Sequence, residues 1–465
     1  MHSTAVPRRT ASALIAVLGM TLVLVVPSAW AQPERDVFRI ERDSLLPSGP
    51  DGSAGSPGTS KRPHPGETLA DRGIYLLDGK DPGLPYADLE PLRHILNGAS
   101  VVGLGETIHT SGGYYTMKHR LFRFLVERMH FRAFAIESNW IAAEQTARYV
   151  DTCAGSSTTA LRGLFGVWQS TEVRDLVEWM CQWNQENPRD PVTFFGFDIQ
   201  EPELDGPALI DFLQRTGLQA DDPRIAAVQA CDGVEAFWWP ELVPDSTYQA
   251  CHQGLNDIDL YFEANRKAIT DRTSREELER ARIHVLSLRA WEDESYYEQR
   301  DFDRAYEARD RGMATAFQRL RKLKVGSAKT AVWAHNEHIS THSDLVEPFR
   351  TMGTFLEQEL GHAYAAVALT GYDVGINWLG IGCGGPFFVV PGAVEELLHE
   401  SGEDYLLVDL GVKDAGHRTP FLDDGVVYWI GQRQFYPSRQ FDAIVYLEQS
   451  PYMNALRWTC EQANQ

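Results

Sequence analysis

The sequence predicts an α/β fold with a mostly parallel sheet flanked by helices and a long helical insertion at about residues 207–323. Residues Ala99 to Trp140 have the pattern of a strand, an amphipathic helix and a second strand, which together form a βαβ unit. Short apolar runs typical of buried strands recur further along the chain. The stretch from 207 to 323 lacks such runs and carries charged, amphipathic helical patterns instead.

The predicted strands are short and end in polar residues. In the βαβ unit, Ser100 to Gly105 and Ala133 to Ile136 form the strands, and Tyr114 to Met129 forms the helix. The further strand candidates lie at 192–197, 330–334, 364–369, 405–408, 426–430 and 443–447. A sheet of this kind binds ligands beyond the carboxyl ends of its parallel strands.

Charged and imidazole side chains follow these strand ends. Glu106 and His109 come just after the first strand, and Glu137 ends the second. Lys118 lies one turn into the helix on its apolar side, so we expect it to point inward. The alternative is structural, with Glu106 capping a helix and His109 satisfied within a loop.

Two later strands add to this set. Asp198 ends the strand at 192–197, where it serves either the site or the N-cap of the next helix. His335 and His338 follow the strand at 330–334, and their spacing places both imidazoles on one side of a turn. The sequence therefore predicts that carboxylates and imidazoles from several segments meet at one edge of the sheet.

These residue types suit the activation of water. The chain has no GxSxG elbow for a serine nucleophile. A histidine can take a proton from water, a carboxylate can orient that histidine, and other cations can stabilise an oxyanion. The same residues could bind zinc or manganese, which leaves a metal-dependent hydrolase or protease as an alternative. A non-catalytic binding protein of the cell envelope is a second alternative.

Composition limits the partners. The 465 residues carry a formal net charge of −22. Binding of nucleic acid or of an anionic lipid surface needs a basic face, so both are disfavoured as partners. The charge favours neutral or cationic small molecules.

Residues 1–31 have the pattern of a secretory signal peptide. Arg8 and Arg9 form the basic region, Ala11 to Val26 form the apolar stretch, and Ala29-Trp30-Ala31 is a cleavage motif. We expect a periplasmic or secreted protein without a membrane anchor after cleavage. Residues 32–66 are polar and rich in Gly, Ser and Pro, which predicts a flexible tether before a folded domain at 67–465.

The six cysteines form no CxxC pair, which gives no support to a zinc ribbon or a thioredoxin-like site. An even count in an exported protein permits disulfides. Proximity in sequence favours the pairs Cys153–Cys181 and Cys231–Cys251.

The chain resembles the erythromycin esterase family in the motif from Gly105 to His109, followed by Glu137. Further matching segments are Phe194 to Asp198, Arg309-Asp310 with Met313-Ala314, and Trp333 to His338. The resemblance implies a metal-independent hydrolase without a cofactor that opens a macrolide lactone. It departs at Lys118, where the family tends to have arginine, and at Glu337, where a small residue is common.

By position, the resemblance implies that His109 is the general base and that four other residues complete the catalytic set: Glu106, Glu137, His335 and His338. We assign Lys118, Asp198 and Asp310 to substrate binding or electrostatic support. The expected substrate is a small-molecule ester or lactone, with a cationic macrolide as one candidate.

If the leader is removed as predicted, the mature chain begins at Gln32. An intact-mass measurement on protein from the cell envelope fraction should then show the loss of residues 1–31. Retention of these residues in that fraction would contradict the prediction.

Overall fold

The computed structural model describes residues 73–231, 243–298, 300–377, 379, 383–384, 389–411, 427–431 and 433–457. The predicted leader and tether lie outside these residues, so the domain boundaries stay predictions. Within the described ranges, every helix is too short or too polar to cross a membrane.

The described strands are short, and most of them join one sheet. They are β1 (Ile74–Leu76), β2 (Val101–Leu104), β3 (Phe131–Asn139), β4 (Thr193–Asp198), β5 (Lys329–Trp333), β6 (Tyr364–Val374), β7 (Ile376–Asn377), β8 (Cys383–Gly384), β9 (Tyr405–Asp409), β10 (Tyr428–Ile430), β11 (Arg433–Phe435) and β12 (Ala443–Ser450). Eight strands form the main sheet in the order β1-β9-β12-β6-β2-β5-β3-β4.

Six neighbouring strands of the main sheet, from β12 to β4, run parallel. Strands β9 and β1 close one edge with antiparallel pairs. The predicted mostly parallel sheet is therefore confirmed. The strand expected at 426–430 is described from Tyr428 onward, and it pairs with β11 in a separate two-stranded hairpin.

Helices cover the sheet. They are α1 (Glu90–Ile95), α2 (Gly112–Met129), α3 (Glu144–Thr152), α4 (Ser157–Ala160), α5 (Thr171–Glu186), α6 (Pro202–Arg215), α7 (Pro223–Ala230), α8 (Asp245–Ala264), α9 (Arg266–Arg272), α10 (Arg275–Tyr297), α11 (Phe302–Lys324), α12 (Asn336–Ile339), α13 (Met352–Leu360), α14 (Val394–His399) and α15 (Pro437–Gln440). Between β4 and β5 the described residues form six α-helices and no strand, which confirms the helical insertion.

The insertion has local start signals and its own apolar cluster. The Ser274 hydroxyl accepts from the backbone N–H of Glu277 at 3.0 Å, which caps α10. Leu209, Leu255 and Leu288 belong to a buried cluster formed within the insertion. Helix α11 also packs on the sheet, because the ring of Phe317 lies against β4. The insertion is therefore both a helical layer and a wall of the main core.

Local irregularities position the strand ends. Strand β3 carries one extra residue relative to β4 between Ile136 and Asn139, and such a bulge re-aims the side chain of Glu137. After β2, a Cβ on Gly105 would lie 2.1 Å from Oδ1 of Asn336, so only glycine fits. That Asn336 side chain bonds the backbone N–H and C=O of Leu369. The loops after β2 and β5 are thereby locked to β6.

Both predicted disulfides are present. Cys153 is bonded to Cys181 with a Cα–Cα distance of 5.4 Å, and Cys231 to Cys251 with 5.0 Å. The first bond ties the end of α3 to α5, and the second ties α7 to α8 inside the insertion. Both distances lie in the usual range for disulfides.

Removal of the first bond should destabilise the fold. Cys153→Ala/Cys181→Ala releases a closed loop in the unfolded chain, so the free energy of unfolding should fall by roughly 3 kcal/mol. Guanidinium denaturation against the unmodified protein measures this change. An unchanged midpoint would show that the bond adds no stability, and wild type treated with reductant is the control.

Candidate active site

The structure brings together all eight residues that the sequence assigned to the site. Glu106 and His109 follow β2, Glu137 lies near the end of β3, and Asp198 ends β4. His335 and His338 follow β5, whereas Lys118 and Asp310 come from helices α2 and α11. Together with Arg309, hydrogen bonds and ion pairs connect all of them into one network.

The carboxylate of Glu106 contacts three other side chains of the site, and it is completely buried. Its Oε1 lies 2.6 Å from Nδ1 of His109. Its Oε2 accepts from Nζ of Lys118 at 2.8 Å and from Nε1 of Trp333 at 3.0 Å. Because a carboxylate can only accept, His109 carries its proton on Nδ1 and presents the lone pair of Nε2. Glu106 therefore does not cap a helix, contrary to the structural alternative.

Lys118 is fully buried behind Glu106. Its Nζ also lies 4.5 Å from the centroid of the Trp333 ring, a cation–π contact. Burial lowers the pKa of Lys118 to about 8, although the neighbouring Glu106 opposes this shift. Lys118 therefore acts on the site through Glu106 and is out of reach of a substrate.

His109 and His335 form a stacked pair of imidazoles. Their ring centroids are 3.6 Å apart, and their planes differ by 16°. Burial, followed by the adjacent His109 ring, holds the pKa of His335 well below its usual value, so this ring is neutral. The rings of Trp168 and His109 meet edge to face, with their centroids 4.7 Å apart. The stack fixes the plane of the His109 ring.

Glu137 faces the other nitrogen of His109. Its Oε1 lies 3.9 Å from Nε2 of His109 and accepts from Arg309 at 3.0 Å. Its Oε2 accepts from the backbone N–H of His335 at 3.1 Å. Burial alone would raise the pKa of Glu137, but the neighbouring cations His338 and Arg309 hold it well below the usual value. Glu137 is therefore in its ionised form.

Arg309 joins the insertion to the strand ends. Its guanidinium donates to Asp198 at 2.7 Å and to Glu137 at 3.0 Å, and one nitrogen lies 3.2 Å from Nε2 of His338. Sequence reasoning assigned Asp310 to the site but missed Arg309. The available signal was position, because both residues follow Tyr306 at helical spacing on the face that packs inward.

His338 is held by Asp310, whose two carboxylate oxygens lie 3.0 Å from Nδ1. Burial would lower the pKa of His338, but Asp310 and Glu137 outweigh it and raise the pKa to about 9. His338 is therefore an imidazolium at neutral pH. Asp310 also accepts from the backbone N–H of Met352 at 2.6 Å, which anchors α13 to the site.

Asp198 is not the N-cap of the next helix, which is the alternative role that its position in the sequence allows. The N-cap of α6 is Glu201, and Asp198 accepts from the backbone N–H of Gln200 at 3.1 Å. Its other oxygen accepts from Arg309. Asp198 therefore orients the guanidinium.

Three of these side chains could hold a metal ion. His109, Glu137 and His335 each offer one ligand atom, and these atoms lie within 4.8 Å of one another. Two imidazoles and a carboxylate are suitable zinc ligands. The geometry is therefore compatible with a divalent cation as well as with water alone.

The fold and the site define an α/β protein with an imidazole–carboxylate centre at the carboxyl ends of parallel strands. Residues 126–450 match the model of the erythromycin esterase family. This match covers more than half of the chain, and the protein belongs to the erythromycin esterase family.

Individual relatives agree with this assignment. The chain is 24% identical to YbfO of Bacillus subtilis (strain 168), which is named as a candidate hydrolase, over 78% of this chain and 86% of that protein. It is 22% identical to erythromycin esterase type II of Escherichia coli, over 62% of this chain and 73% of that enzyme.

Solved structures share the fold. A Bacillus cereus protein superposes with a TM-score of 0.67 at 19% identity, over 82% of this chain and 96% of that one. A mutant of the erythromycin esterase EreC in its open conformation gives 0.63 at 18% identity, over 80% of this chain and 95% of that one.

The buried lysine should set the alkaline limit of activity. Loss of the Lys118 proton removes the cation that holds Glu106, so kcat/KM should fall as pH rises through about 8. Lys118→Arg keeps the charge at that pH, so the fall should move to about 9, where His338 loses its proton.

The measurement is a pH–rate profile for the wild type, Lys118→Arg and Lys118→Met. Lys118→Met should have low turnover at every pH with an unchanged circular dichroism spectrum. Identical profiles for all three proteins would remove Lys118 from the function of the site.

Proposed function

We propose that this protein is an exported hydrolase that cleaves an ester or a macrolide lactone with water activated by His109. Family membership supports a hydrolase. The observation that carries the mechanism is the contact of 2.6 Å between Glu106 and Nδ1 of His109, in which Lys118 and Trp333 hold the carboxylate. This contact leaves Nε2 of His109 free to accept a proton.

The reacting water has a place between two acceptors. Nε2 of His109 and Oε1 of Glu137 are 3.9 Å apart, so one water can lie about 2.8 Å from both atoms. It then donates one hydrogen to the imidazole and the other to the carboxylate. Its oxygen lone pair is left to attack the carbonyl carbon of the substrate.

His109 both takes the proton from water and returns it to the product. The water oxygen bonds to the carbonyl carbon while its proton passes to Nε2 of His109, which forms an imidazolium stabilised by Glu106. When the tetrahedral intermediate collapses, the bond from carbon to the alcohol oxygen breaks, and His109 returns the proton to that alcohol. The products are a carboxylic acid and an alcohol, joined in one molecule if the substrate is a lactone.

The cations opposite His109 suit the charge that develops during the reaction. His338 is an imidazolium at neutral pH, and the guanidinium of Arg309 lies 3.2 Å from it. Preorganised cations of this kind stabilise an oxyanion in a site that excludes water. The ring of His335, which is neutral, has its centroid 3.6 Å from that of His109 and 6.0 Å from that of His338.

A macrolide lactone is the substrate class that the family and its relative erythromycin esterase type II suggest. The net charge of −22 suits a neutral or cationic small molecule and disfavours nucleic acid. The leader pattern supports export to the periplasm or the medium, without a membrane anchor after cleavage. Two disulfides agree with an oxidising compartment.

A metal-dependent hydrolase is the second candidate, because His109, Glu137 and His335 converge as ligands. The metal content of protein purified from the cell envelope, measured together with activity after chelation, separates the two. With water activation by His109 alone, activity survives chelation. A stoichiometric metal whose removal abolishes turnover favours the second candidate.

The general-base role predicts the effect of removing the imidazole. His109→Ala should lower kcat by about 10²–10⁴-fold on the best ester or lactone, because general-base assistance is worth that much. The melting temperature should change little. Turnover and melting are measured on the purified protein, starting with erythromycin and a panel of esters.

The matched control is His399→Ala, which removes a surface imidazole paired with Glu448 at 2.9 Å. It should keep wild-type turnover. A His109→Ala enzyme within about tenfold of wild type would contradict the assignment, since that lies below the expected range.

A further inference from the structure

Glu337 lies beside the site but takes no part in the network described above. It precedes His338 in α12, and its side chain is 12% exposed. Its Oε2 accepts from the hydroxyl of Tyr306 at 2.9 Å and lies 3.4 Å from Arg433 on β11. Tyr306 is fixed in turn, because its ring stacks on His338 at 5.4 Å.

The second carboxylate oxygen of Glu337 has no such contacts. Oε1 is buried, and no donor in the described part of the chain reaches it. A buried carboxylate oxygen without a donor is costly, more so than a neutral acceptor. The described residues that offer donors to this carboxylate, Tyr306 and Arg433, both lie against Oε2, so a donor from a ligand gains most at Oε1.

The surroundings of Glu337 favour a cationic donor. Phe302 is 50% exposed, and its ring centroid lies 6.0 Å from that of Tyr306, so an accessible aromatic ring lies beside the tyrosine that bonds Glu337. Aromatic faces attract organic cations. Burial, followed by the charges of Glu337 and Asp303, raises the pKa of the nearby Glu347, and Arg433 opposes this shift.

We propose that Glu337 is a specificity-determining residue that binds a protonated amine of the substrate through Oε1, beside the reacting carbonyl group. This inference rests on the proposed ester hydrolysis and adds a preference within it. An ester that carries an ammonium N–H in its alcohol part gains a charge-assisted hydrogen bond. A neutral isostere leaves Oε1 without a donor, and the charge of an anionic ester is repelled by the carboxylate of Glu337.

The test uses esters that differ in one group. At pH 7, 2-(dimethylamino)ethyl butyrate carries a protonated amine, and 3-methylbutyl butyrate is its neutral isostere. Butyrylcholine carries the charge without the N–H donor. We expect kcat/KM of the wild type to be highest for the amine, lower for butyrylcholine and lowest for the neutral ester.

Glu337→Gln should reduce the ratio of kcat/KM for the amine to that for the neutral ester by about tenfold or more, the usual size of a hydrogen bond to a charged group. The matched control is Glu347→Gln, which removes the same charge nearby and should leave the ratio unchanged. If the ratio fell equally in both variants, the preference would come from the overall negative charge of this region, and the role of Glu337 would be overturned. An unchanged ratio in Glu337→Gln would also overturn it.

Binding separates this inference from the proposed function. Isothermal titration calorimetry of the His109→Ala variant should show tighter binding of the amine ester than of the neutral ester. The double variant His109→Ala/Glu337→Gln should lose that difference. Equal binding of the two esters to His109→Ala refutes the role of Glu337 even if esters are cleaved. Amine-selective binding that depends on Glu337 supports it even if no ester is turned over, and the absence of turnover then counts against the proposed function alone.

Discussion

The site depends on one buried carboxylate. Glu106 has no exposed surface, and an unpaired charge at that depth would cost several kcal/mol. Lys118 and Trp333 occupy one of its oxygens, so the other is left for His109. The orientation and tautomer of the histidine follow from that pairing. The lysine must be buried because its partner is buried, and its lowered pKa is the consequence.

The sheet alone does not complete the site. Strand ends supply His109, Glu137 and His338, but the guanidinium that bonds Glu137 and the carboxylate that bonds His338 come from Arg309 and Asp310 of α11. Arg309 lies among acidic groups whose negative charge outweighs its burial and raises its pKa well above the usual value. The helical insertion therefore takes part in the site, and a displacement of α11 would move the partners of both Glu137 and His338.

The sequence predicted the residues at strand ends well, because parallel strands bring their carboxyl ends to one edge whatever their separation along the chain. It could not predict the partner of each residue. Arg309 bonds to Glu137 across 172 positions, and Trp333 to Glu106 across 227, and no periodicity encodes such pairs. The run at 426–430 predicts a strand but not its partner, since a short apolar run does not state which strand it pairs with, and β10 pairs with β11 outside the main sheet.

The central claim is that water, oriented by a base held on Glu106, attacks the carbonyl group directly. A single turnover in water enriched in oxygen-18 tests this claim, with enzyme in excess over the ester and the product acid analysed by mass spectrometry. Direct attack predicts that the acid carries the label from the first turnover and that the protein carries none. Unlabelled acid from the first turnover, with the label afterwards in the side chain of Glu106 or Glu137, would show a covalent acyl-enzyme and contradict the account.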